Sequence, residues 1–309
     1  MVSVQAATLV APGQIEIRDY PVPAPNRACG VCRNCRRGFP YYLCRKLENY
    51  GNSLSCAEPP HLFGGWAEFI YLRPGTPVFR VPQDLPSEVA ILTEIFAVTH
   101  RLERAAAIRR PGGFLPGDTV AVVGVGSLGM AHLVKAALMG AGRVIAVDKS
   151  ARRLALAQRL VNAGTVAVGR SADGPDNAVR AQVMDMTDGE GADVVVNATG
   201  FPGSFSLAAS MVRDAGTILE VGAFVDMGPE AFNPAAICGR SLTVMGTGGE
   251  DPQAYDGTIA LLTRHAGAIP FAEMISHTFR IADAALAIET SLDADHATKV
   301  LISNTFGLA

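Results

Sequence analysis

Residues 120–129, Val120-Ala-Val-Val-Gly124-Val-Gly126-Ser127-Leu128-Gly129, pass from an apolar run directly into G-x-G-x-x-G. The residues that follow, Met130, Leu133, Val134, Ala137 and Leu138, repeat at helical spacing. Asp148 closes the next apolar run, Val144-Ile-Ala-Val-Asp, nineteen residues after Gly129. Each part has a physical role. Gly124 permits a tight turn, Gly126 lets the backbone approach a pyrophosphate, and Gly129 lets helix and strand pack closely. The free N–H groups at the helix start attract negative charge. An acid placed like Asp148 accepts ribose hydroxyls. Strand, turn, helix and acid together predict a dinucleotide-binding βαβ unit rather than a plain glycine turn. Asp148 repels a 2′-phosphate and so favours NAD over NADP, although Lys149, Arg152 and Arg153 would suit that phosphate and keep NADP open.

Outward from this unit, apolar runs at 119–123, 144–147, 165–168, 193–197 and 217–221 alternate with helical stretches. That alternation predicts an α/β fold with a doubly wound parallel sheet covered by helices. Before it, alternating apolar positions around Ala11-Pro12-Gly13 predict two short strands and a turn, residues 64–81 predict short strands with a Pro-Gly turn, and 86–110 predict a helix. After Gly246 the pattern is mixed, with helices expected near 252–265 and 281–291 and a last strand near 299–302.

The 309 residues are 49% hydrophobic and 18% charged, which excludes a disordered chain. Twenty-six basic against 29 acidic side chains give a formal charge of −3 with no basic stripe, so nucleic acid is not an expected partner. No apolar run of roughly 18 residues occurs, and Gln5, Glu16 and Asp19 interrupt the opening stretch. No membrane partner is expected, and the expected location is cytoplasmic.

Five of six cysteines lie within 29–56, and Cys29-x2-Cys32-x2-Cys35-x8-Cys44 forms one dense cluster. Zinc in a structural role takes four thiolates in a closed tetrahedron, so a Zn²⁺ site is expected there, the alternative being a group of free thiols. Cys56 and Cys238 fall outside the spacing and are expected to be buried small residues.

Taken together, the cysteine cluster, Gly64-Gly-Trp-Ala-Glu-Phe-Ile-Tyr-Leu72, Leu92-Thr-Glu-Ile-Phe-Ala-Val-Thr-His100, the G-x-G-x-x-G strand and the acid-terminated strand resemble the zinc-containing medium-chain alcohol and polyol dehydrogenases over nearly the whole chain. The resemblance implies a structural zinc on Cys29, Cys32, Cys35 and Cys44, with a last gap one residue longer than the family pattern. It implies a Rossmann domain (96–245) inserted into a discontinuous GroES-like domain (1–95 and 246–309). It further implies NAD(P)-dependent oxidation of a small alcohol or polyol, and a homodimer or homotetramer paired near Leu242 to Met245. Glu94 matches an acid at or near the metal of the polyol-type branch; equally, a glutamate opening a helix is stabilised by the helix dipole.

The chain departs from the family at one place. Pro23-Ala-Pro25 runs almost directly into Arg27-Ala-Cys29, where the family carries about sixty or seventy further residues with a cysteine ligand, a Ser or Thr of the proton relay and Gly-His-Glu. The GroES-like part is therefore expected to be truncated and the catalytic zinc to retain Glu94 alone. His61 and His100 are expected to be ordinary structural or surface histidines, and Trp66 and Phe69 to pack in the small domain's core. Three functions follow: a zinc-type dehydrogenase, a non-catalytic NAD-binding relative, and a zinc-independent NAD(P)H reductase.

Overall fold

Six parallel strands form the centre of the molecule: β1 (Thr119–Val123), β2 (Arg143–Asp148), β3 (Gly164–Ala167), β4 (Ala192–Asn197), β5 (Val212–Glu220) and β6 (Thr243–Gly246), in the order β3-β2-β1-β4-β5-β6. This is the doubly wound order, with the switch point between β1 and β4. The computed structural model describes residues 4–303 apart from 12–13, 21, 24–25, 68, 109–111, 170–174, 223–225, 251 and 294.

The strands are apolar at almost every position because both faces are covered. Side chains alternate between the faces, so β1 sends Val120 and Val122 to one core and Ala121 and Val123 to the other. The first core is closed by helices α1 (Ser127–Leu138) and α2 (Ala151–Val161), through Met130, Leu133, Val134, Leu154 and Leu160. The second is closed by helices Pro175–Met186 and Ser204–Met211, through Val179, Val183, Leu207 and Ala208. Each fully buried Val or Leu contributes about 1.5–3 kcal/mol, so this stack supplies most of the burial energy. Among the described residues no helix is long and apolar enough to cross a membrane.

Smaller ladders surround the sheet. Val4–Ala11 pairs antiparallel with Gln14–Tyr20 as the alternation predicts, and Ile275–Arg280 pairs parallel with Lys299–Ser303. Among its described residues, 64–81 yields a single two-residue strand, Val78–Phe79, on Val22–Pro23. Side chains fix this segment instead of ladder bonds: Glu48 bridges Arg27 and Arg73 at 2.6 and 2.9 Å, and the Arg73 amide donates to the Tyr50 hydroxyl at 2.7 Å.

The helix expected over 86–110 is three short ones, Ser87–Ala90, Thr93–Val98 and Arg101–Ala106. Thr93 and Thr99 hydroxyls donate to carbonyls three residues earlier, at 2.7 and 2.6 Å, and His100 Nδ1 does the same at 2.6 Å. Such back-bonding competes with the helical ladder and interrupts it.

Four packing expectations are corrected. Trp66 is 63% exposed and Phe69 is exposed as well, because the small aromatic core is made instead by Tyr50, Leu54 and Phe63. Cys56 and Cys238 are both exposed.

Candidate functional site

The glycine turn closes as its spacing requires. Gly124 sits at φ +80° and its N–H donates to the Val147 carbonyl at 2.8 Å, while a β-carbon there would collide with the Thr199 methyl. A β-carbon on Gly129 would fall on the Gly124 carbonyl, and one on Gly222 would fall on the Thr199 carbonyl. The loops after β1, β4 and β5 therefore meet at the carboxyl end of the sheet, where ligands of such sheets bind. Gly126, in extended backbone, opens α1. Ser127 Oγ donates to the Thr298 carbonyl at 2.6 Å, and Leu128 packs partly buried against the first core.

Asp148 is 5% exposed, and both its oxygens are engaged: Oδ2 accepts from the Val125 amide at 2.7 Å and Oδ1 from the Ser150 amide at 2.8 Å. A carboxylate has about four acceptor positions, so Asp148 keeps acceptor capacity beyond these two backbone bonds. Arg153 donates to the Ala297 carbonyl through Nη2 at 2.7 Å, and Arg152 reaches the His296 carbonyl. The cations beside Asp148 are thus partly occupied by the segment before the last strand.

The four cysteine sulphurs all lie within 4.8 Å of one another, with Cys32–Cys35 at 3.4 Å and Cys29–Cys35 at 4.0 Å. Thiolates about 2.3 Å from a tetrahedral Zn²⁺ stand roughly 3.8 Å apart, so this donor set fits that ion. The amides of Cys29 and Lys46 donate to Cys44 Sγ at 3.3 and 3.4 Å. Backbone amides of Cys35 and Arg45 hold the Cys32 thiol down to about 6, and those of Val31 and Cys32 lower Cys29. Burial and the neighbouring thiols push Cys35 up to about 12.

Glu94 lies on the helix Thr93–Val98, outside the cysteine group. Burial and then Glu250 push its carboxyl up, and Lys299 opposes them. Glu250, 3% exposed, accepts from the Tyr41 hydroxyl at 2.8 Å, and burial followed by Glu250 raises the Tyr41 and Tyr255 phenols. Tyr255 stacks on Phe79 at 4.8 Å, and the fully buried Arg101 guanidinium lies 5.6 Å from the centre of the Tyr42 ring. Sequence reasoning missed Glu250 and Tyr41; the one signal was an acid just after Gly-Gly at a strand's carboxyl end. His61 is exposed, with Nδ1 3.0 Å from the Cys56 carbonyl, and His100 Nδ1 donates to the Ala97 carbonyl. Among the described residues the cysteine quartet is the only convergent group of three or more metal-ligating side chains. Two surface hollows, one beside Gly142, Arg143 and Gly164 and another beside Arg180 and Arg240, include none of the turn residues.

Residues 124–264 match the family described as zinc-binding dehydrogenase. A probable alcohol dehydrogenase of Mycobacterium tuberculosis is 33% identical over 262 residues, covering 82% of this chain and 67% of that protein. D-xylulose reductase A of Aspergillus niger is 27% identical over 290 residues, covering 94% and 75%. The crystal structure of an alcohol dehydrogenase from Thermotoga maritima superposes with a TM-score of 0.81 at 25% identity, covering 97% of this chain and 80% of that one.

Proposed function

The chain belongs to the zinc-binding dehydrogenase family, and on that premise we propose that it binds NAD across Gly124–Gly129 and holds one structural zinc on Cys29, Cys32, Cys35 and Cys44. Its substrate class is a small alcohol or polyol. The observation that carries this proposal is the convergence of the β1, β4 and β5 loops on the glycine turn, with Asp148 behind it. Bound nicotinamide supplies the hydride acceptor. The chain's own part is to seat the pyrophosphate at α1 and to meet the ribose with Asp148. We assign cofactor binding to 96–245 and the substrate-facing part to 1–95 and 246–309.

A second function, cofactor binding without zinc-dependent oxidation, is favoured by the surroundings of Glu94. A catalytic zinc needs about three protein ligands and an open position, whereas Glu94 has Glu250 and Lys299 as its charged neighbours. Without the ion, an alcohol keeps its proton at neutral pH and the alkoxide that drives hydride transfer does not form.

The test joins three measurements on the purified chain: NADH titration, zinc content, and NADH formation from NAD with a panel of polyols and secondary alcohols before and after added zinc. The expected result is NADH binding, one zinc per chain and little zinc-dependent turnover. Failure to bind NADH overturns the cofactor assignment. Strong turnover that a chelator abolishes, with two zinc ions per chain, shows instead that a second, catalytic zinc is held.

A further inference from the structure

Tyr41 belongs to the cysteine lobe by sequence, in the turn Tyr41–Leu43 between Cys35 and Cys44, yet its hydroxyl ends on Glu250, 209 residues further on. Both residues are buried. The loop is shaped for this contact: Gly249 has φ +61°, and a β-carbon there would strike the Tyr41 hydroxyl, so a side chain would close the phenol's seat. The neighbouring Tyr42 lies against the buried Arg101 guanidinium, a second attachment of the same turn.

From Glu250 the chain itself, through Gly249 and Gly248, leads back to Thr247 and from there to the glycine turn. Thr247, in the same loop, donates its N–H to the Glu220 carbonyl at the end of β5. The Glu220 carboxylate accepts from Asn197 Nδ2 at 2.6 Å and from the Gly222 amide at 3.2 Å. Gly222 abuts the Thr199 backbone, and the Thr199 side chain abuts Gly124.

We propose that Tyr41 is a positioning residue through which the cysteine site controls dinucleotide affinity. Metal on the four cysteines fixes the turn 41–43, the Tyr41 hydroxyl then holds Glu250, and the loop 247–250 holds the carboxyl ends of β5 and β4 in the arrangement that receives the cofactor. The coupling rests on the assignment of zinc to the cysteines and of NAD to the glycine turn. Linkage makes it reciprocal, so dinucleotide tightens zinc by the factor by which zinc tightens dinucleotide.

The experiment measures NADH affinity of the full chain with and without zinc, and zinc affinity against a chromophoric chelator with and without saturating NADH. We expect each ligand to tighten the other about fivefold or more. Tyr41→Phe keeps the ring and drops the hydroxyl, and should bring both factors close to one while each ligand still binds. Glu250→Gln keeps an acceptor and should retain the coupling, whereas Glu250→Ala should lose it. A factor of one in the unaltered chain, or an undiminished factor in Tyr41→Phe, overturns the proposal. If the zinc-free chain unfolds, seen by circular dichroism, the two ligands are linked through folding and not through Tyr41, and the proposal is overturned. Absence of NADH binding, or of any zinc on the reduced protein, overturns the underlying assignment and the coupling with it, and each is seen separately in these data.

Discussion

The carbonyl oxygen of Gly124 occupies the place that a β-carbon on Gly129 would need, so strand and helix meet there backbone to backbone. No flexible side chain can yield at that contact. Gly129→Ala should therefore destabilise the fold by about 1–3 kcal/mol, read as a lower urea midpoint, and weaken NADH binding at the same time. Gly126→Ala provides the contrast, since its nearest neighbour would be an Arg153 nitrogen at 3.7 Å: stability should change by less than ~1 kcal/mol while NADH binding still falls.

Asp148 has a structural role besides any ribose contact. Asp148→Ala leaves the Val125 and Ser150 amides without their acceptor and should cost about 1–3 kcal/mol for each group left buried, even with no cofactor present. NADH binding should weaken further, by an amount on the order of 1–3 kcal/mol. Unfolding curves with and without NADH separate the two losses. Tighter binding of NADPH than of NADH would show that Asp148 does not choose the cofactor.

Chelation or Cys32→Ser should loosen the lobe over 29–44 and leave the six-stranded sheet intact. Hydrogen exchange provides the measurement, with faster exchange at the Cys29 and Lys46 amides, which donate to Cys44 Sγ, and unchanged protection in β1 and β4. Zinc content near zero in freshly reduced protein would remove the metal assignment.

His132 is fully buried on α1, with Nδ1 donating to the Leu128 carbonyl at 2.9 Å. Burial holds its ring down to about 4, and His100 adds to the effect. The folded chain thus keeps this histidine neutral where an unfolded one takes a proton near pH 6.5. Its contribution is whole above about pH 6.5 and is lost as pH falls towards 4, by up to ~3 kcal/mol. His132→Leu should flatten the acid side of the stability profile over that interval; an unchanged slope there would refute the assignment.

β6 is an edge strand of the sheet, and its Val244 is 41% exposed. An uncovered edge is a template for pairing, so two copies are expected to join along Thr243–Gly246. Sedimentation at micromolar concentration should give a dimer or tetramer, and Val244→Lys should shift it towards monomer.

The sheet was legible because its strands obey one rule, apolar runs ending at helix starts, and Thr119–Val123 lies where that rule puts it. The cysteine lobe was legible from spacing alone. The break-up of 86–110 was not, because Thr93, Thr99 and His100 act through local side-chain bonds that hydrophobic periodicity does not register. Trp66 was misplaced because the composition of a segment does not say whether a partner surface exists to cover it. The bond between Tyr41 and Glu250 joins residues so distant in the chain that only the folded topology reveals it.

The hydroxyl of Ser127, at the mouth of the glycine turn, is tied to the carbonyl of Thr298, just before the last strand. Protein synthesis proceeds from the amino end, and all six strands of the sheet are made before Thr298 is added. The glycine turn is therefore finished last. The bond that closes the entrance to α1 waits for a carbonyl made after every strand of the sheet.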